Sequence, residues 1–116
     1  MLTYLQVEKA LLNLEYIVDF NLRYHTKLRA FIPVDGYKSD IVLEFREAYQ
    51  SELGDCNEVL HIEWLMDDEE SCLFLDRNSL DDVDETPNIF ATEKLILREI
   101  FDRILKEIAS EPQEKL

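Results

Sequence analysis

The amino-acid sequence predicts an α+β fold: an antiparallel four-stranded sheet made of two hairpins, with long N- and C-terminal helices packed on it, in the order α-β-β-(α)-β-β-α. Three observations predict it. Apolar residues recur at helical spacing near both ends of the chain. Between them, four runs alternate apolar and polar with period two. Asp35-Gly36 and Asp67-Asp68-Glu69-Glu70 punctuate those runs as turns. With 116 residues, 47% of them hydrophobic and only two glycines, the chain suits one domain. A domain of that size buries about two-thirds of its unfolded surface and needs no disulfide or metal to hold it. We expect residues 1–110 to form the domain and 111–116 to be a frayed tail.

Thr3 with Gln6 three residues on matches a capping box, which starts the first helix. Val7, Ala10, Leu11, Leu14, Ile17, Val18 and Leu22 follow at helical spacing, and no glycine or proline interrupts them before Pro33. The reading is a helix over about 3–24, with Leu5, Leu12, Tyr16 and Phe20 as a second apolar stripe. A rival pattern is present: Tyr16, Val18, Phe20, Leu22 and Tyr24 alternate as in a strand.

Leu28, Ala30, Ile32 and Val34 alternate up to Asp35-Gly36, and Tyr37, Ile41, Leu43 and Phe45 alternate after it. A two-residue turn with positive φ at both residues sets Val34 against Tyr37 and Ala30 against Ile41. The second strand runs to about Arg46, followed by a short helix over Glu47 to Leu53 ended by Gly54; the rival is one helix from Ser39 to Leu53. Leu60, Ile62, Trp64 and Met66 then point one way, with His61, Glu63 and Leu65 on the wet face. The acidic turn 67–70 leads into a partner strand over 71–76, and 78–85 reads as an acidic loop. Thr86-Pro87 suits the N-cap and first position of a last helix reaching about Ala109. That helix buries Phe90, Leu97, Ile100, Phe101, Ile104, Leu105 and Ile108.

The charge is unevenly placed. Residues 1–46 and 94–116 each hold equal numbers of acids and bases, whereas 47–93 hold fifteen acids and one base, Arg77, and account for the whole net charge of −14. Such a field repels nucleic acid and anionic lipid and attracts basic proteins. The first residues lack a basic leader pattern, and no run is long and apolar enough for a membrane span. A cytoplasmic protein is expected, with Cys56 and Cys72 reduced and acting as small buried hydrophobes.

No constellation carries a recognisable chemistry. His61-Ile62-Glu63 matches half of a zinc-deaminase pattern, but no Pro-Cys-x-x-Cys supplies the other ligands. Asp76 to Asp81 begins like a calcium loop, then meets Leu80 and has no glycine. Glycine-rich phosphate loops and nucleophile elbows are absent. Catalytic residues, metal ligands and cofactors are therefore assigned to none. The expectation is a non-enzymatic acidic binding protein that occludes a basic, nucleic-acid-binding surface of a partner protein, as an inhibitor, immunity protein or DNA mimic. Its contact residues would be Asp55, Glu58, Glu63, Asp67, Asp68, Glu69, Glu70, Asp81, Asp82, Asp84 and Glu85, with Tyr49 as an aromatic anchor. The alternatives are a small acidic secretion-type chaperone, supported only by size, charge and element order, and a weak divalent-cation-binding protein. Direct contact with nucleic acid or membrane is not expected; monomer and homodimer are both open.

Overall fold

The computed structural model describes residues 2–19, 27–77 and 90–110, apart from the side chains of Tyr49, Ser51 and Cys56. In chain order the elements are α1 (Tyr4–Asn13), β1 (Ile17–Val18), β2 (Lys27–Ile32), β3 (Ile41–Arg46), β4 (Tyr49–Ser51), β5 (Gly54–Cys56), β6 (Val59–Leu65), β7 (Cys72–Asp76) and α2 (Ala91–Ser110). The α+β class agrees with the sequence. The main sheet has five strands in the order β1-β2-β3-β6-β7, every pair antiparallel, and β4 with β5 makes a separate small hairpin.

Period-two alternation decides which side of the sheet is buried. Leu28, Ala30 and Ile32 on β2 line up with Ile41, Leu43 and Phe45 on β3, then with Leu60, Ile62 and Trp64 on β6 and Leu73 and Leu75 on β7. All are buried, and they share one core with Val7, Ala10 and Leu11 of α1 and Leu97, Phe101, Ile104 and Ile108 of α2. Both helices therefore press on the same face. The opposite parity carries the charged and half-exposed residues, so among the described residues the sheet has one packed face and one open face.

The first helix is half as long as expected. Thr3 caps it, with the reciprocal bonds to Gln6 of a capping box. It stops at Asn13 because Glu15 turns left-handed, at φ 63°. The amide of Tyr16 then donates to the carbonyl of Leu11, and that of Glu15 to Leu12, both at 3.0 Å. This is a Schellman stop, built on a glutamate where glycine is usual. The released chain obeys the period-two pattern from Tyr16 on and becomes β1, a fifth strand at the edge of the expected four. The stretch 20–26, with Phe20 and the rest of the alternating run, lies outside the described residues.

Two further expectations are corrected. The short helix over 47–53 is instead strand β4 and a turn: Ser51 pairs with Gly54 across Glu52-Leu53, and Gly54 takes φ 124°. The Asp35-Gly36 turn is present, with the amide of Tyr37 donating to Val34, but only Gly36 has positive φ. The ladder closes only at Ile32 with Ile41, so Ala30 meets Leu43 rather than Ile41. A slip of two residues preserves parity, so each side chain stays on its expected face. The loop 78–85, the Thr86-Pro87 cap and the tail 111–116 lie outside the described residues.

Trp64 is the largest fully buried side chain. Its indole N–H donates to the carbonyl of Ser39 at 3.0 Å, and the Tyr37 ring meets it edge-on with centroids 4.7 Å apart. One residue thus ties β6 to the loop between β2 and β3. Trp64→Ala should destabilise the fold by about 3–5 kcal/mol. Trp64→Phe, which keeps a smaller aromatic ring but strands the Ser39 carbonyl, should cost about 1–3 kcal/mol. Urea unfolding followed by circular dichroism measures both; a Trp64→Ala loss below about 1 kcal/mol would contradict this placement.

Candidate partner-binding surfaces

The antiparallel order places the β2–β3 turn and the β6–β7 turn at the same end of the sheet. Ile32, Ile41, Trp64 and Leu73 form the last shared row there. The two turns touch: the amide of Lys38 donates to the Asp67 carboxylate at 3.3 Å. Asp35, Asp40, Asp67, Asp68, Glu69 and Glu70 are all exposed along this rim. Asp35 and Asp40 were missed as candidates because they fall in the charge-neutral first third. The signal that could have found them is the pairing of two consecutive hairpins, which brings their turns to one end.

Asp68 has a structural task on this rim. Its carboxylate accepts from the amides of Glu70 and Ser71 and from the Ser71 hydroxyl, each at 2.9 Å. It closes the turn in which Glu69 takes φ 62°. These donors, the Ser71 amide first and the Glu70 amide next, hold the Asp68 carboxyl below the usual aspartate range. Tyr37 is also held here, donating its hydroxyl to Glu93 at 2.5 Å. That hydrogen bond, followed by desolvation and the charges of Glu93 and Asp67, pushes its phenol up.

The other predicted acids are elsewhere. Seven residues of β6 separate the rim from Glu58 and the β4–β5 hairpin, a distance of about 20 Å. Asp55 is exposed on β5. Glu58 is not a free recognition group: its carboxylate accepts from the Leu2 amide at 2.7 Å and pairs with Arg77. Glu47 likewise accepts from the Tyr4 amide at 2.7 Å, satisfying an orphan donor of the first turn of α1. These two acids hold the N-terminal helix onto the far end of the sheet. Glu63 lies on the open face between Val42 and Phe74. Tyr49 is placed by its backbone opposite Cys56. Asp81, Asp82, Asp84 and Glu85 lie outside the described residues. The seven described acids among those predicted therefore do not form one patch: four share the rim, and Asp55, Glu58 and Glu63 are apart from it.

The open face holds a charged row and an apolar row. Arg29, Glu44, His61 and Asp76 stand side by side across β2, β3, β6 and β7. Glu44 pairs with Arg29 at 3.1 Å and lies 3.5 Å from the His61 ring nitrogen. The next row is Ile17, Phe31, Val42, Glu63 and Phe74. Cys72, beside Leu65 in the row beyond, is exposed, not buried as the sequence suggested. Burial and the nearby charge of Glu63 push its thiol up, away from a reactive thiolate. His61 and Glu63 share a face, as the strand pattern required, but among the described residues no three histidine, cysteine or acidic side chains converge to hold a metal ion.

No family model matches the chain, and no curated protein or solved structure matches it. Among the described residues no helix is long and apolar enough to cross a membrane.

The rim makes a testable claim about pH. Because the folded carboxyl of Asp68 titrates below its unfolded value, its contribution to stability is complete above the ordinary aspartate pKa, about 3.9. It is lost as pH falls through the lower folded pKa. A carbon-detected NMR titration should show Asp68 titrating below that ordinary value, and Ser71→Ala should move it upward. A midpoint for Asp68 at or above the ordinary value would contradict the turn geometry.

Proposed function

We propose that the chain is a non-enzymatic acidic binding protein that covers a basic surface of a partner protein, with the rim of the two touching turns as its contact. The observation that carries this reading is the gathering of Asp35, Asp40, Asp67, Asp68, Glu69 and Glu70 on one exposed edge, joined by the Lys38–Asp67 bond. Carboxylates at a convex edge diverge into water. They cannot converge on one small substrate, but they can each meet a different lysine or arginine on a broad surface. Such a field steers a cationic partner and raises its association rate. Inhibitors of nucleases, immunity proteins and DNA mimics all use this chemistry, and the partner surface would itself be one that meets phosphate.

A secretion-type chaperone is the second reading. It is favoured by Leu5 and Leu12, each 46% exposed on the outer side of α1. Its stripe is shorter than the sequence suggested, because Tyr16 lies beyond the Schellman stop. A weak cation-binding role has less support, since diverging acids offer few shared oxygens to one ion.

The test compares the intact protein with Asp67→Lys/Glu69→Lys/Glu70→Lys, which leaves Asp68 to close the turn. Both are used as bait in extracts of the native cell, with elution by a salt gradient, and association with the captured protein is timed by stopped flow. The reading expects one basic protein on the wild-type bait, an association rate about 10–1,000-fold slower for the variant at low salt, and a flatter salt dependence. Equal rates and equal salt slopes for the two baits would sink the electrostatic mechanism.

A further inference from the structure

We propose that the open face of the sheet is a self-association surface whose occupant is a second copy of this chain. This goes beyond the reading of the acidic rim and uses different residues. The face is apolar where a water-facing sheet is usually polar. Ile17 is 62% exposed, Phe74 52% and Leu65 43%, with Phe31 and Val42 partly exposed between them. Large apolar groups gathered on one face mark a contact surface, whereas isolated ones do not.

Charge selects the occupant. The strand residues on this face include three bases, Lys27, Arg29 and Arg46, and three acids, Glu44, Glu63 and Asp76. Across β2, β3, β6 and β7 the face is therefore neutral in a chain of net charge −14, with Asp19 beside Arg29 just past β1. A basic partner would have to bury Arg29 and Arg46 against its own cations, and an acidic one would meet Glu44, Glu63 and Asp76. A copy of the same face meets neither problem, because opposite signs interleave. Arg29 on β2 lies in one row with Asp76 on β7, and Phe31 in the next row with Phe74. A two-fold axis parallel to the strands between β3 and β6 sets Arg29 of each copy over Asp76 of the other, Glu44 over His61, and Phe31 over Phe74. That is the self-complementarity an isologous dimer requires. Lys27 and Arg46 fall at the edge of this pairing, where long side chains reach water.

Size sets the strength. Four strands about 4.8 Å apart, β2, β3, β6 and β7, each about six residues long, offer roughly 400 Å² of planar face per copy. This is at the low end for specific interfaces, so the dimer forms reversibly with concentration. The net charge of the two copies opposes it at long range. Added salt therefore strengthens this contact, the reverse of its effect on binding a basic partner.

Sedimentation velocity of the intact chain over a range of concentrations tests this, at about 0.01 M and about 1 M salt, where the Debye length falls from about 30 Å to about 3 Å. The expected result is a dimer fraction that rises with concentration and with salt. Phe74→Glu, and separately Phe31→Glu, should weaken it about ten-fold or more. Leu95→Glu, at a 64% exposed position on α2, should leave it unchanged. A monomer at every concentration in both salts overturns the proposal, as does a dimer indifferent to Phe74→Glu and Phe31→Glu or abolished by Leu95→Glu. Should the open-face variants fail to fold, peptide-resolved alkylation of Cys72 in the wild-type chain decides: protection that grows with protein concentration supports the dimer, and concentration-independent labelling overturns it.

Discussion

Both helices press against one face of a five-stranded sheet, and the other features of the molecule depend on that asymmetry. Val7, Ala10 and Leu11 of α1 and Leu97, Phe101, Ile104 and Ile108 of α2 are buried against the same parity of strand residues. Burial on that scale is the main favourable term in holding the fold. It fixes the parity of every strand, because a slip of one residue would carry Leu43 or Ile62 out of the core and Glu44 or His61 into it. It also determines what the opposite parity can be. Those side chains need only tolerate water, which leaves them able to carry the Arg29–Glu44 pair, the half-exposed Phe74 and the apolar row beside it.

Charge follows the same geometry at larger scale. The acids of the middle third are adjacent in sequence but divided in space, because β6 carries the chain from one end of the sheet to the other. Glu47 and Glu58 at the far end are used inside the molecule, holding the first turn of α1. Asp68 and Glu93 also have internal partners. Other acids stand exposed on the rim of two turns, joined there by Asp35 and Asp40 from a part of the chain with no net charge, and at the far hairpin, where Glu52 and Asp55 are exposed. Among the described residues the excess of acids thus lies toward the two ends of the sheet rather than on its open face.

Much of this was legible in the sequence, for physical reasons that can be named. Side-chain parity in β2, β3, β6 and β7 follows from alternation, which neither turn type nor register shift by two can alter. The capping box at Thr3 and Gln6 is local chemistry and was read as such. What escaped reading depended on backbone conformations that the residue type does not announce. Glu15 adopts a left-handed φ that glycine would have signalled, so the end of α1 and the existence of β1 were hidden. Gly54 ends a helix or opens a hairpin strand equally well, and only pairing with β4 selects the strand. The site was legible as a composition but not as a place. Glu58 looks like any other acid until Leu2, 56 residues away, is found donating to it.

The central claim is that negative potential sits at the strand ends while the open sheet face is neutral. Paramagnetic relaxation by small nitroxides of different charge measures this directly, amide by amide. With a cationic nitroxide compared against a neutral one, the excess relaxation should peak at residues 67–70, with a weaker maximum at 52–55, and should be near zero at Val42, Glu44 and His61. An excess that is uniform along the chain, or largest at the centre of β3 and β6, would contradict the account.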